Sequence, residues 1–109
     1  YDGRLGGTYC DAELSGLIEA RVRDPNGNGI AGETLRVRWD NGEERFVTGL
    51  KPERGADYAD YRMMPGRGYT IDMPGLADPL DRPLVATECT TDAGTTAITS
   101  YWVVFTQVR

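Results

Sequence analysis

Between Leu17 and Trp39 apolar side chains fall on every second position, in two separate runs. Ile18, Ala20 and Val22 alternate with Glu19, Arg21 and Arg23; Leu35, Val37 and Trp39 alternate with Thr34, Arg36 and Arg38. A period of two places one set on each side of a pleated strand, whereas a helix needs apolar residues three and four apart, so both runs are predicted as half-buried strands. Asp24-Pro25-Asn26-Gly27-Asn28-Gly29 lies between them. These residues accept left-handed backbone or bond their own main chain, which predicts a chain reversal joining the two strands.

The same alternation recurs downstream. Asp40-Asn41-Gly42-Glu43 reads as a hairpin turn into Glu44–Leu50. Asp57–Met63 turns inward Ala59, Tyr61 and Met63; Pro65–Gly68 turns the chain; Tyr69, Ile71 and Met73 face inward again. Pro74, Pro79 and Pro83 make the stretch from 74 to 83 a connection without regular ladder bonds. Leu84–Thr91 is a strand, Asp92-Ala93-Gly94 a turn, and Ile98–Val108 the longest apolar strand. Asp11–Ile18 fits a strand or a helix face capped by Asp11, with Gly16 favouring the strand. Seven strands without a convincing helix or a parallel crossover predict an all-β, antiparallel seven-stranded sandwich. Residues 10–109 form its single domain, with a core of Ile18, Ala20, Val22, Leu35, Val37, Trp39, Tyr61, Tyr69, Ile71 and Phe105. Residues 1–9, with Gly3, Gly6 and Gly7, form an extended arm or a linker.

Charge excludes some partners. A net charge of −5, with basic residues scattered among acidic ones, lacks the basic stripe that nucleic acid requires. No apolar run reaches the roughly 20 residues of a membrane span. The opening Tyr-Asp-Gly has neither the charged nor the apolar region of a signal peptide, so the chain reads as a soluble mature segment.

Cys10 and Cys89 are the two cysteines. A lone pair outside a CxxC motif, in a small glycine-rich β domain, fits a disulfide in an oxidising compartment better than two buried thiols, a metal site or a redox site. Localisation is therefore expected to be extracellular or at a cell surface.

Val22-Arg23-Asp24-Pro25-Asn26-Gly27-Asn28-Gly29-Ile30-Ala31-Gly32-Glu33-Thr34-Leu35-Arg36-Val37 resembles the opening of carboxypeptidase-regulatory-like and Cna-B-type bacterial domains. Ala59-Asp60-Tyr61-Arg62-Met63-Met64-Pro65-Gly66-Arg67-Gly68-Tyr69-Thr70-Ile71 is similar to a later segment of that group. The resemblance spans Leu17 to Met73. It implies an immunoglobulin-like or transthyretin-like sandwich of the kind found in stalks, adhesins and filament subunits, which hold or bind and rarely catalyse. The Lys–Asn isopeptide bond of many Cna-B-type domains is not expected, because the single lysine, Lys51, lies in a loop and Asn26, Asn28 and Asn41 lie in turns.

Catalytic constellations are poor. Without histidine there is no Ser-His-Asp or Cys-His site, and neither Ser15 nor Ser100 lies in G-x-S-x-G. No enzyme activity, catalytic residue or obligatory cofactor is expected. Asp24, Asn26 and Asn28 match the first half of a calcium loop, but the position of its bidentate Glu falls on Leu35, so a plain turn is favoured over calcium.

Function is then expected to lie in surface contact. On Ile98–Val108, Tyr101, Val103 and Phe105 are set inward, leaving Trp102, Val104 and Val108 as an apolar stripe that needs cover. The arm, through Tyr1, Leu5 and Tyr9, would supply that cover from the same chain or from the next copy in an assembly. The first function class is a non-catalytic extracellular structural or assembly module, with copies of itself or neighbouring domains as partners. The alternative is a carbohydrate-binding or adhesive accessory domain in which Trp102, Tyr58 and Tyr101 stack on sugar rings.

Overall fold

The structure, a computed structural model, describes residues 1–108, within which ten strands and one short 3-10 turn, Pro52–Arg54, are present. The first sheet contains β1 (Asp2–Tyr9), β2 (Leu17–Arg23), β5 (Tyr58–Arg62) and β10 (Ser100–Thr106), in the order β1-β10-β2-β5. The second contains β3 (Thr34–Trp39), β4 (Gly42–Val47), β6 (Gly68–Asp72) and β7 (Leu84–Val85), in the order β4-β3-β6-β7. A separate ribbon pairs β8 (Glu88–Thr90) with β9 (Thr96–Ile98). The chain is all-β and sandwich-like.

Alternation places the core. Val103, Ala20 and Ala59 form one row across the first sheet, and Tyr101, Ile18 and Tyr61 another. Their faces meet Leu35 and Val37 from β3, Tyr69 and Ile71 from β6, and Leu84 from β7. Eight of the ten expected core residues are buried; Trp39 and Tyr61 are half-buried, and each makes an edge-on ring contact with Tyr69.

The strand count and pairing differ from expectation. Leu84–Thr91 breaks at Ala86-Thr87, where Ala86 N–H bonds the Arg67 carbonyl; Ile98–Val108 breaks at Thr99, whose N–H bonds Thr87. Both apolar stretches therefore leave a main sheet to join the ribbon. The arm is no linker: Asp2–Tyr9 pairs along β10 as a full strand, so seven strands become ten. Nor is the sandwich purely antiparallel, since β10 runs parallel to β2.

The reversal at Asp24–Gly29 forms, but β2 and β3 lie in different sheets. Past Gly29 the chain crosses over, and the buried Thr48 hydroxyl pins the crossing by donating to the Ile30 carbonyl (2.8 Å) and accepting Glu33 N–H (3.0 Å). Asp11–Gly16 is neither helix nor strand. Asp11 instead accepts the Glu13 and Leu14 N–H groups in a local turn, and Gly16, at φ 69°, leads into β2.

Candidate functional site

Side chains opposite to the core rows make the outer face of the first sheet. Two of its rows are fixed by register: Gly7, Trp102, Glu19 and Asp60 in one, and Arg4, Val104, Arg21 and Tyr58 in the other. The first row joins an aromatic ring to two carboxylates, and the site is built there.

Trp102 rests on glycine. A Cβ at Gly6 would lie 2.4–2.5 Å from three consecutive carbons of the Trp102 benzo ring, near-equal distances that place Gly6 beneath the ring face and not at its edge. At Gly7 a Cβ would lie 2.7 Å from the indole nitrogen. Only residues without a side chain allow the indole to lie down on β1 so closely, and the bulge between Leu5 and Gly7 fits both glycines beneath it. Trp102 remains 44% exposed. With Glu19, Arg21, Arg54, Tyr58 and Val103 it borders a pocket of about 200 Å³.

Glu19 and Asp60 face one another across β2 and β5, a like-charge pair that would destabilise the sheet unaided. Donors relieve it. Glu19 accepts hydrogen bonds from the Tyr9 and Tyr58 hydroxyls and pairs with Arg54 at 2.6 Å; Asp60 shares the one Tyr58 hydroxyl proton at the longer distance of 3.0 Å and pairs with Lys51 at 2.8 Å. Arg54 and Arg21 also lie over the Tyr58 ring, at 4.8 and 5.3 Å from its centre. Tyr58 is thus buried as a support, with its faces taken.

Burial, then the hydrogen bond to Glu19, pushes the Tyr9 and Tyr58 phenols well above the ordinary value of 10.0. Burial and the adjacent Tyr69 push Tyr61 up to about 12. Because the folded chain holds these phenols protonated, the unfolded chain ionises first: stability is fully present below pH 10.0 and is lost as pH rises through the raised values. A denaturant midpoint flat up to about pH 9.5 and falling steadily above it is expected. A midpoint unchanged to pH 12 would contradict the buried phenols.

Of the residues expected at an interface, the structure brings Trp102, Val104 and Tyr9 to one face and places Tyr1, Leu5 and Val108 elsewhere. Val104 is 7% exposed and so is no free stripe: it lies in register between Arg4 and Arg21, long side chains whose stems shield an apolar neighbour. Tyr1 packs against the far end of the core, its backbone nitrogen bonded to the Leu76 carbonyl. Leu5 pairs with the inward Val103, on the opposite side of β1 from the Trp102 row, and exposed Val108 lies past the end of β10. Tyr101 is no platform either, because its hydroxyl donates to the Val85 carbonyl at 2.8 Å and ties the two sheets together. β10 is also not an edge strand, since β1 and β2 flank it.

Neither a protein-family model nor a curated protein matches the chain.

Cys10, just past β1, is disulfide-bonded to Cys89 of β8, with Cα atoms 6.1 Å apart. The bond anchors the end of the strand that carries the Trp102 seat. At the calcium-like turn, Asp24 Oδ1 accepts the N–H groups of Asn26 and Asn28, both at 2.9 Å, and these bonds hold the carboxyl below its usual pKa. That oxygen already serves the turn. Among the described residues no three His, Cys, Asp or Glu side chains group as a metal site, and no helix is long and apolar enough to cross a membrane.

Sequence reasoning missed Gly6, Gly7, Glu19, Arg54 and Asp60. Glu19 and Asp60 read as ordinary solvated strand positions, and nothing local shows that β2 and β5 align them. The glycines carried a signal, two in succession in a segment of strand length, but their meaning depends on Trp102 being opposite.

Proposed function

We propose that this chain is a non-catalytic extracellular module, of immunoglobulin-like or transthyretin-like kind, that binds saccharide on the outer face of its first sheet. The observation that carries the reading is Trp102: one face of the indole is seated on Gly6 while the residue stays 44% exposed beside hydrogen-bonding side chains. A seated indole is pre-ordered, so stacking a sugar's C–H face on it costs little side-chain entropy, and Arg54 and Glu19 at the pocket rim suit hydroxyl groups. The disulfide supports an oxidising compartment.

Affinity electrophoresis through gels containing soluble neutral polysaccharides of the cellulose, xylan and mannan types tests this. Retardation by at least one, abolished by Trp102→Ala with the thermal midpoint kept, is the expected result. Migration unaffected by all of them, or equal retardation of Trp102→Ala, would refute it.

A self-assembling module is the second reading, favoured by one observation: β1 is an eight-residue edge strand with its outer side unpaired. Its bulge weighs against strand addition, because bulges twist an edge away from partners. Sedimentation equilibrium separates the readings, with a monomer expected from the saccharide-binding one.

A further inference from the structure

An open cleft lies on the second sheet, between the Asp40–Asn41 turn and the Pro65–Gly68 turn. It measures about 640 Å³, and Arg38, Trp39, Asp40, Asn41, Arg67 and Thr70 line it. Two arginines line it in a chain whose net charge is −5.

Neither guanidinium is fully used. Arg67 lies over the Trp39 ring at 4.8 Å, and among the described residues no carboxylate is within ion-pair distance of it. Contact with a ring uses none of the guanidinium's N–H donors on an acceptor oxygen, so they remain for a carboxylate. Arg38 reaches Asp72 at 3.3 Å, but Arg36 already holds that carboxylate with two shorter bonds of 2.6 and 3.0 Å. Arg38 therefore adds little at Asp72 and keeps donors for another acceptor, and its side chain is 43% exposed.

We propose that this cleft is an anion subsite for the carboxylate of an acidic saccharide, held between Arg67 and Arg38 against the side of Trp39. The rest of the lining distinguishes sugar from peptide. Asp40 is an acceptor that repels a densely acidic peptide but receives hydrogen bonds from hydroxyl groups, and Asn41 and Thr70 both donate and accept. A uronic-acid unit offers one charge for the arginines and several hydroxyls for the remainder. The inference goes beyond the Trp102 platform and is independent of it, since the two sites lie on different sheets.

The test uses the whole chain carrying Trp102→Phe, in which Trp39 is the remaining tryptophan, so that its fluorescence reports on the cleft alone. Trigalacturonate, its fully methyl-esterified form and a triglutamate peptide are titrated in turn. Trigalacturonate is expected to change Trp39 emission saturably, with the ester and the peptide each about tenfold weaker, the scale of one lost charge-assisted contact. Arg67→Gln and Arg38→Gln are each expected to weaken it by about tenfold with the thermal midpoint kept. No response to trigalacturonate, an ester that binds as tightly, or two arginine variants that both bind as the parent does would overturn the subsite. Triglutamate binding equal to trigalacturonate would overturn its assignment to a saccharide. A silent Trp102→Ala electrophoresis result leaves this readout intact, so the two proposals fail separately.

Discussion

Replacing Val37 with Asp is expected to abolish the folded state. Val37 is fully buried, pairs with Ile71 across β3 and β6, and belongs to the core shared by both sheets. A carboxylate there has no cation on its side of the strand, because Arg36 and Arg38 point outward to Asp72. Burying an unpaired charge costs several kcal/mol even after relaxation, against a total stability of about 5–15 kcal/mol for a domain of this kind. Circular dichroism should show no cooperative thermal transition for Val37→Asp. A transition within a few degrees of the parent's would mean that β3 is shifted by one residue and presents its other face to the core.

Removing the disulfide is the second large effect. The bond closes a 79-residue separation, and in the chain-entropy model it stabilises by restricting the unfolded chain, by about 4 kcal/mol for a loop of this size. At roughly 4–8 °C per kcal/mol for a domain of about 100 residues, Cys10→Ser with Cys89→Ser should lower the melting temperature by about 16–32 °C. The loss should be felt first at the ends that the bond joins. β8 and β9 pair mainly with each other and bury little apart from Ala97, while β1 is an edge strand whose one strand neighbour is β10. Differential scanning calorimetry of the double variant measures the shift. A change below about 3 °C would show that β1 and the ribbon are secured without the bond.

What could be read from the sequence, and what could not, follows from the range of the interactions involved. Ile18, Ala20 and Val22, or Tyr69, Ile71 and Met73, face inward because of their own alternation, and all are buried. The position of Cys89 opposite Cys10 was legible because two cysteines leave one pairing. Pairing between strands distant in sequence was not. That Leu5 to Gly7 would lie along Val103 and Trp102, almost a hundred residues on, depends on β10 inserting between β1 and β2. For the same reason Val104, apolar and outward, read as bare surface when Arg4 and Arg21 flank it. The breaks at Ala86-Thr87 and Thr99 carry no Gly or Pro, and arise from hydrogen bonds between those segments and their neighbours that local sequence does not encode. The site was half legible: Trp102 stood out as an aromatic ring on the wrong face, but its glycine seat and its carboxylate row exist only once four strands are aligned.

The saccharide platform is tested most directly at the indole N–H of Trp102. The two tryptophans give two such signals in a proton–nitrogen correlation spectrum, and Trp39→Phe assigns them. On titration with a neutral oligosaccharide of the polysaccharide that retards the protein, the Trp102 signal should move saturably while the Trp39 signal stays in place. A Trp102 signal that stays fixed through the titration, or that moves no more than that of Trp39, would contradict the platform.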